Sequence, residues 1–81
     1  MNNWEEHIIS DPNVLLGKPT IRGTRIAVEF ILQLFAEGWD KKDIQGNYPR
    51  VSDEAIQAVF AYLAESMRDG LMGRTLIAQE K

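Results

Sequence analysis

Three basic side chains lie close together in a segment rich in proline and glycine, and they carry the clearest chemical signal in the chain. Lys18, Arg22 and Arg25 fall within residues 17–26, which contain no acidic residue. Lysine and arginine bind phosphate oxygens, so a basic arm with a fixed backbone path is typical of contact with a nucleic-acid backbone. With the basic residues of the later segments, the candidate DNA-binding residues are Lys18, Arg22, Arg25, Lys41, Lys42 and Arg50.

The arm's basic residues also have a purely structural interpretation. They can pair with nearby carboxylates or donate hydrogen bonds to turn carbonyls, as surface charges often do. Asp53 and Glu54, at the start of the last predicted helix, weaken the DNA interpretation further. Phosphates repel carboxylates there, unless the carboxylates accept hydrogen bonds from cytosine.

Residues for catalysis are missing. The segment from Gly17 to Thr20 resembles the end of a phosphate-binding loop, but Pro12 stands where that loop needs its first glycine. Pro19 replaces the hydroxyl residue that holds magnesium. His7 is the single histidine, which rules out a histidine pair or relay. We therefore expect no enzyme activity, no cofactor and no metal site.

Length and composition limit the class of protein to which this chain can belong. The chain has 81 residues, a formal charge of −3 and no cysteine, which fits one small domain without disulfides. Neither a signal peptide nor an apolar run of membrane-spanning length is present, so we expect a cytoplasmic protein with no membrane partner. Domains this small often gain stability by association, which favours a homodimer.

The hydrophobic pattern divides this single domain into three parts. Residues 7–26 predict an extended β-arm, too short to be stable unless it lies on the helices or pairs with another chain. Residues 27–70 show helical spacing and form the predicted helix-turn-helix core. Residues 71–81 form a tail with no clear period.

Caps and breakers set the bounds of three helices within the core. Gly38 closes the first helix, Asp40 begins the second, and Ser52 begins the third. The second helix is weakened by Gly46 and ends before Tyr48-Pro49. In the third helix, Phe60 is assigned to the buried face together with Ala55, Ile56, Val59 and Leu63. The fold class is therefore mainly α, and a generic three-helix bundle remains an alternative to a DNA reader.

The order of these motifs resembles a family of short bacterial proteins catalogued as domain of unknown function four hundred thirty-three and regarded as antitoxin-like. The shared features are Asp11-Pro12, the run from Gly17 to Ile26, Gly38, Tyr48-Pro49, and Ala58 with Tyr62 in the last helix. The resemblance implies a homeodomain-like helix-turn-helix with an N-terminal β-arm. It also implies a nuclease-like toxin of the PIN type as partner, which the small protein would silence, and repression of their shared promoter by a dimer.

A second hypothesis makes partner binding the main role. Four apolar residues of the tail are candidate partner-binding residues, because they lie outside the compact pattern: Leu71, Met72, Leu76 and Ile77. Trp4 and Trp39 are either interface anchors or packing residues, with Trp39 between the first two helices and Trp4 against the arm. The alternatives to an antitoxin are a stand-alone DNA-binding regulator and an interaction module with no DNA role.

Overall fold

The chain forms a two-stranded arm followed by three helices. The computed structural model describes residues 3–69. A single turn of 3₁₀ helix occurs at Trp4–Glu6, and a left-handed 3₁₀ turn occurs at Leu15–Gly17. The remaining elements are β1 (Ile8–Ser10), β2 (Pro19–Ile21), α1 (Val28–Ala36), α2 (Lys41–Asn47) and α3 (Asp53–Arg68). The predicted fold class, three helices after a short β-arm, is confirmed. None of these helices has the length and apolar character needed to cross a bilayer.

The arm folds back on itself and packs onto the helices of its own chain. β1 and β2 are antiparallel, with Ile8 opposite Ile21 and Ile9 opposite Thr20. Ile8 and Ile21 are buried in the same core as the helical side chains. The hydroxyl of Thr20, a buried residue, donates to the main-chain oxygen of Ile9 at 3.4 Å. Burial of this apolar pair stabilises a sheet that is too small to be stable alone.

A tight turn connects β2 to α1. Gly23 occupies the left-handed region at φ +81°. The hydroxyl of Thr24 donates to the carbonyl of Ile21 at 2.7 Å and accepts from the main-chain N–H of Ile26 at 3.0 Å. A threonine side chain that bonds the backbone two or three residues away is typical of such turns. The turn therefore fixes the direction in which α1 leaves the arm.

α1 ends in the hydrogen-bond pattern known as the Schellman motif. Gly38 has φ +100°, and its N–H donates to the carbonyl of Phe35 at 3.0 Å. The N–H of Trp39 donates to the carbonyl of Leu34, also at 3.0 Å. Glycine is favoured at this position because it has no Cβ to oppose a positive φ.

Acidic and hydroxyl side chains begin the next two helices. The carboxylate of Asp40 accepts from the N–H of Asp43 at 2.8 Å, and the carboxylate of Asp43 accepts from the N–H of Asp40 at 3.0 Å. This reciprocal pair is a capping box with aspartate in place of the usual glutamate. Ser52 accepts from the N–H of Ala55 at 3.0 Å and begins α3. These caps place the short turn between α2 and α3 where the sequence predicts it.

The core draws on every helix and on the turn before α3. Ile31, Ile44, Val51 and Val59 are almost completely buried. Phe60 departs from its predicted place: it is 44% exposed, and its ring lies tilted against that of Phe35 in α1, with centroids 5.3 Å apart. The next residue in a helix points about 100° away from its predecessor. Phe60 therefore lies beside the face that Val59 buries.

Trp4 packs on α3, a contact that the sequence did not predict. Its ring meets Tyr62 edge to face with centroids 4.9 Å apart, and its indole N–H donates to the carboxylate of Glu65. An aromatic pair with this geometry contributes beyond the apolar area that it buries. Trp39 is partly buried against the core, as expected of a packing residue.

Candidate functional site

Arg22, predicted to contact DNA, makes its hydrogen bonds within the arm. Its Nε donates to the main-chain oxygen of Glu6 at 2.9 Å, and its Nη2 donates to that of Glu5 at 3.2 Å. The main-chain N–H of Arg22 donates to the carbonyl of His7 at 2.7 Å. The planar guanidinium suits two carbonyls at once. Arg22 thus ties the first 3₁₀ turn to β2.

Two of the predicted lysines lie in ion pairs. Lys18 Nζ is 3.2 Å from Glu29 Oε1, and Lys41 Nζ is 3.5 Å from Asp53 Oδ1. All four side chains are more than half exposed, so each pair adds little to the free energy of unfolding. The pairs nevertheless reduce the positive charge that Lys18 and Lys41 present to a phosphate.

A second contact reinforces the link between α2 and the start of α3. The side-chain amide of Gln45 donates to Asp53 Oδ1 at 2.8 Å and to the main-chain oxygen of Val51 at 3.1 Å. The hydrogen bond from Gln45 holds the pKa of the Asp53 carboxyl below its usual value, and the charge of Lys41 acts in the same direction. Asp53 is therefore a fixed negative charge at the N-terminal end of α3.

Three of the predicted DNA-binding residues keep their charges unpaired within the described range. Arg25, Lys42 and Arg50 are exposed, and none of them forms an ion pair or a side-chain hydrogen bond with residues 3–69. The structure thus separates the six candidates into three whose side chains bond locally and three whose side chains make no such bond within residues 3–69. The predicted partner-binding residues Leu71, Met72, Leu76 and Ile77 lie outside the described residues.

The solvent-facing side of α3 carries an apolar stripe that sequence reasoning missed. Phe60 and Met67 are 44% and 38% exposed, and Ala64 between them is also exposed. Spacings of four and then three residues place these side chains on one side of a helix. Toward the start of α3, the exposed residues are polar instead. Because Phe60 follows Val59 in the helix, its side chain points about 100° away from that of Val59. This angle is the signal in the sequence that could have predicted the stripe.

A groove beside the Leu15–Gly17 turn forms a second apolar surface. It has a volume of about 530 Å³ and lies against Leu15, Leu16, Ala27 and Phe30, with Lys18 and Glu29 also lining it. Phe30 is 37% exposed and meets the ring of Tyr48 edge to face, with centroids 5.5 Å apart. No periodicity in the sequence distinguishes Phe30 from the buried residues of α1, so only packing against the arm identifies this groove.

The turn that borders the groove has an unusual backbone. Leu15 and Leu16 have φ of +50° and +58°, and Gly17 follows at +85°. Left-handed backbone costs an L-residue about 1–2 kcal/mol. Leu16 is nevertheless 95% exposed, so core burial does not offset its strain. Strained residues of this kind cluster at functional sites.

The part of the chain that the structure describes shows no sign of a metal site or of an unsatisfied buried polar group. Within residues 3–69, no group of three histidine, aspartate or glutamate side chains is arranged to hold a metal ion. No side-chain nitrogen or oxygen in that range is buried without a hydrogen-bond partner. The chemically distinctive features of this part of the chain are therefore two exposed apolar surfaces and three unpaired basic side chains.

The fold and these surfaces define a small protein built from a β-arm and three helices. The family model described as protein of unknown function (DUF433) matches residues 8–63, so the chain belongs to the DUF433 family. It is similar to the crystal structure of a DUF433 member protein from Anabaena variabilis, with a TM-score of 0.70 and 29% sequence identity. The match covers 76% of this chain and 61% of that one. A search of curated proteins found no match.

Proposed function

We propose that this protein is an antitoxin-like binding protein, which holds and neutralises a nuclease-like toxin of the PIN type and catalyses no reaction itself. The observation that carries the proposal is the exposed apolar stripe of Phe60, Ala64 and Met67 on α3. The class of partner follows from the resemblance to an antitoxin-like family. The binding mode follows from the residues of the stripe.

The stripe has the spacing by which a helix docks into an apolar groove. Such helices use anchors at positions i, i+3 or i+4, and i+7, which Phe60, Ala64 and Met67 match. In the sequence, Leu71 follows Met67 by four residues. The predicted partner-binding tail therefore begins four positions after the last residue of the stripe in the sequence. A toxin that binds the stripe is therefore expected to extend its contacts onto the tail.

The charge on α3 favours a protein partner over DNA. Asp53 and Glu54 begin the helix, and it contains no lysine or arginine before Arg68. In a helix-turn-helix protein, the N-terminal residues of the last helix contact base edges. Carboxylates at that position are repelled by the phosphate backbone. Neutralising the phosphates supplies a large share of the affinity for DNA.

Promoter binding as a dimer is the second candidate function. It is favoured by Arg25, Lys42 and Arg50, which are exposed and make no contact with a carboxylate in residues 3–69. These residues lie before α1, in α2 and in the turn before α3, so phosphate contact would come from the arm, α2 and the turn. Such contacts position a protein on DNA and carry no sequence information by themselves.

The test is affinity capture of the tagged full chain from its native lysate, followed by mass spectrometry. We expect a stoichiometric nuclease-like protein with the wild-type chain. The double variant Phe60→Glu, Met67→Glu should lose it, because both anchors become charged. Lys42→Glu is the matched control: it introduces the same side chain at an exposed position of α2 and should retain capture.

Two results would contradict parts of this proposal. Equal capture by the double variant would remove the stripe from the binding site. Recovery of DNA fragments without any nuclease-like protein would favour the second candidate, particularly if Lys42→Glu abolished it. Truncation after Gly70 in the otherwise wild-type chain tests the tail separately. If the truncated chain keeps its helical content but no longer captures the nuclease-like protein, the tail takes part in binding.

A further inference from the structure

We infer that the first 3₁₀ turn, Trp4–Glu6, is a clamp on the second half of α3, residues 61–68. This N-terminal clamp keeps the second half of α3 helical, and it thereby sets the shape of the stripe formed by Phe60, Ala64 and Met67. The part of the inference that concerns capture of a partner rests on the proposed function. The part that concerns the helix is independent of it.

The second half of α3 buries little that would keep it helical. Four residues of α3 are buried, and all four precede Phe60: Ala55, Ile56, Ala58 and Val59. Every residue from 61 to 68 is partly buried or exposed. Asp69 lies at the C-terminal end of the helix, where the helix dipole disfavours a negative charge. Because most helical stability in proteins comes from packing, this half of α3 depends on contacts from elsewhere in the chain.

Trp4 provides such contacts. Its ring packs edge to face on Tyr62, with centroids 4.9 Å apart. Its indole N–H donates to the carboxylate of Glu65, which lies 61 positions later in the chain. Within residues 3–69, no other side-chain hydrogen bond or ion pair reaches residues 61–68. Tyr62 and Glu65 are neighbours across one helical turn, so contact with both opposes unwinding of that turn.

The N-terminal clamp contacts α3 on the side away from the stripe. Each residue turns an α-helix by about 100°, so Tyr62 lies about 200° round the helix from both Phe60 and Ala64. Glu65 lies about 200° from Met67 for the same reason. A partner can therefore bind the stripe while the clamp is closed. Ala64 and Met67 align with Phe60 only when the second half of α3 is helical.

The N-terminal clamp can open without unfolding the core. None of its three residues is buried. Its link to the arm includes the exposed Arg22, whose guanidinium donates to the main-chain oxygens of Glu5 and Glu6. Segments with few buried contacts open locally at low cost in free energy. A partner that binds the helical stripe favours the closed clamp, and closing the clamp raises the affinity for that partner by the same factor.

NMR spectroscopy of the free full chain tests the clamp. In Trp4→Ala, we expect the Cα chemical shifts of residues 63–68 to move toward random-coil values, while those of residues 53–59 remain helical. Trp4→Phe keeps an aromatic ring against Tyr62 and should show a smaller change. Glu5→Ala is the matched control in the same turn, because the exposed Glu5 side chain forms no hydrogen bond or ion pair within residues 3–69. Fully helical shifts for residues 63–68 in Trp4→Ala would overturn the inference.

Substitution of Tyr62 provides an independent measurement. Alanine has a higher helix propensity than tyrosine, so Tyr62→Ala should increase the helical content of residues 63–68 if local propensity alone determines it. The clamp predicts a decrease, because Trp4 loses the ring on which it packs. The double variant Trp4→Ala, Tyr62→Ala should lose no more helix than Trp4→Ala alone, since both substitutions remove the same contact. Increased helical content in Tyr62→Ala would contradict the clamp.

Capture of the nuclease-like protein tests the link between the clamp and the stripe. If the second half of α3 is helical in about one molecule in ten of Trp4→Ala, the apparent dissociation constant should rise about tenfold. Equal affinity of Trp4→Ala and the wild type, with residues 63–68 unwound in the free variant, would overturn this link. A wild-type chain that captures no such protein would contradict the proposed function, and the chemical shifts would still decide whether the clamp holds α3.

Discussion

The guanidinium of Arg22 donates a hydrogen bond to the main-chain oxygen of Glu6 at 2.9 Å. The bond joins the first 3₁₀ turn to β2 and thereby helps to hold Trp4, at the start of that turn, against α3. Arg22, which the sequence predicts to bind DNA, is thus part of the contact between the arm and the helices. Mutation of Arg22 in a DNA-binding experiment would therefore change the stability of the arm as well as the charge.

Arg22→Ala should lower the free energy of unfolding by about 1 kcal/mol, because the carbonyls of Glu5 and Glu6 no longer have a charged donor. Arg25→Ala removes the same charge from the same segment, but Arg25 has no side-chain hydrogen bond or ion pair within residues 3–69. It should change stability by less than about 0.5 kcal/mol. Urea denaturation followed by circular dichroism measures both. Equal effects of the two substitutions would show that the bonds from Arg22 do not hold the arm.

Gln45→Ala should raise the pKa of the Asp53 carboxyl toward its usual value, because the hydrogen bond from Gln45 is the main cause of the lowered pKa. Lys41→Met should also raise this pKa, since the charge of Lys41 is the next cause. NMR titration of the Asp53 side chain measures each change. An unchanged pKa in Gln45→Ala would contradict the contact.

The same contact makes stability depend on pH in a defined direction. Because the pKa of Asp53 is lower in the folded chain than in the unfolded chain, ionised Asp53 contributes stability at pH above the unfolded pKa. That contribution disappears as the pH falls through the lowered pKa. The stability lost on acidification should therefore be smaller in Asp53→Asn than in the wild type. Parallel pH profiles for the two proteins would count against this linkage.

Substitution by alanine should have opposite effects on stability at Gly46 and at Gly38. Gly46 lies within α2, and the space that an alanine Cβ would occupy there is open, with no other atom within 4 Å. Gly46→Ala should therefore stabilise the chain by about 0.5–1 kcal/mol. Gly38→Ala should destabilise it by about 1 kcal/mol, because φ +100° is unfavourable for alanine. Thermal denaturation of both variants gives the comparison, and a lower melting temperature for Gly46→Ala would contradict the account of α2.

If the second candidate function holds, Arg25, Lys42 and Arg50 should supply its phosphate contacts. Substituting all three with alanine should weaken DNA binding and reduce the slope of log affinity against log salt by about one for each phosphate no longer neutralised. Lys41→Ala is the matched control on α2, because Lys41 already pairs with Asp53. Fluorescence anisotropy with promoter DNA at several salt concentrations measures the slope. An unchanged slope in the triple variant would remove these residues from DNA binding.

Local sequence signals determined the secondary structure of this protein. Gly38, the Asp40–Asp43 pair and Ser52 act through hydrogen bonds to backbone groups a few residues away. Their effects are therefore readable from spacing alone. The family signature added the order of arm and helices, and the family match over residues 8–63 agrees with it.

Only the tertiary structure decided which side chains remain available to a partner. Arg22 finds its carbonyl partners 16 and 17 residues earlier in the chain. Phe60 lies at the edge of the core, because Ile56 and Val59 occupy the buried side of α3. Local propensity does not include such distant contacts. Which side chains are free to contact a partner therefore depends on how the arm and the helices pack together.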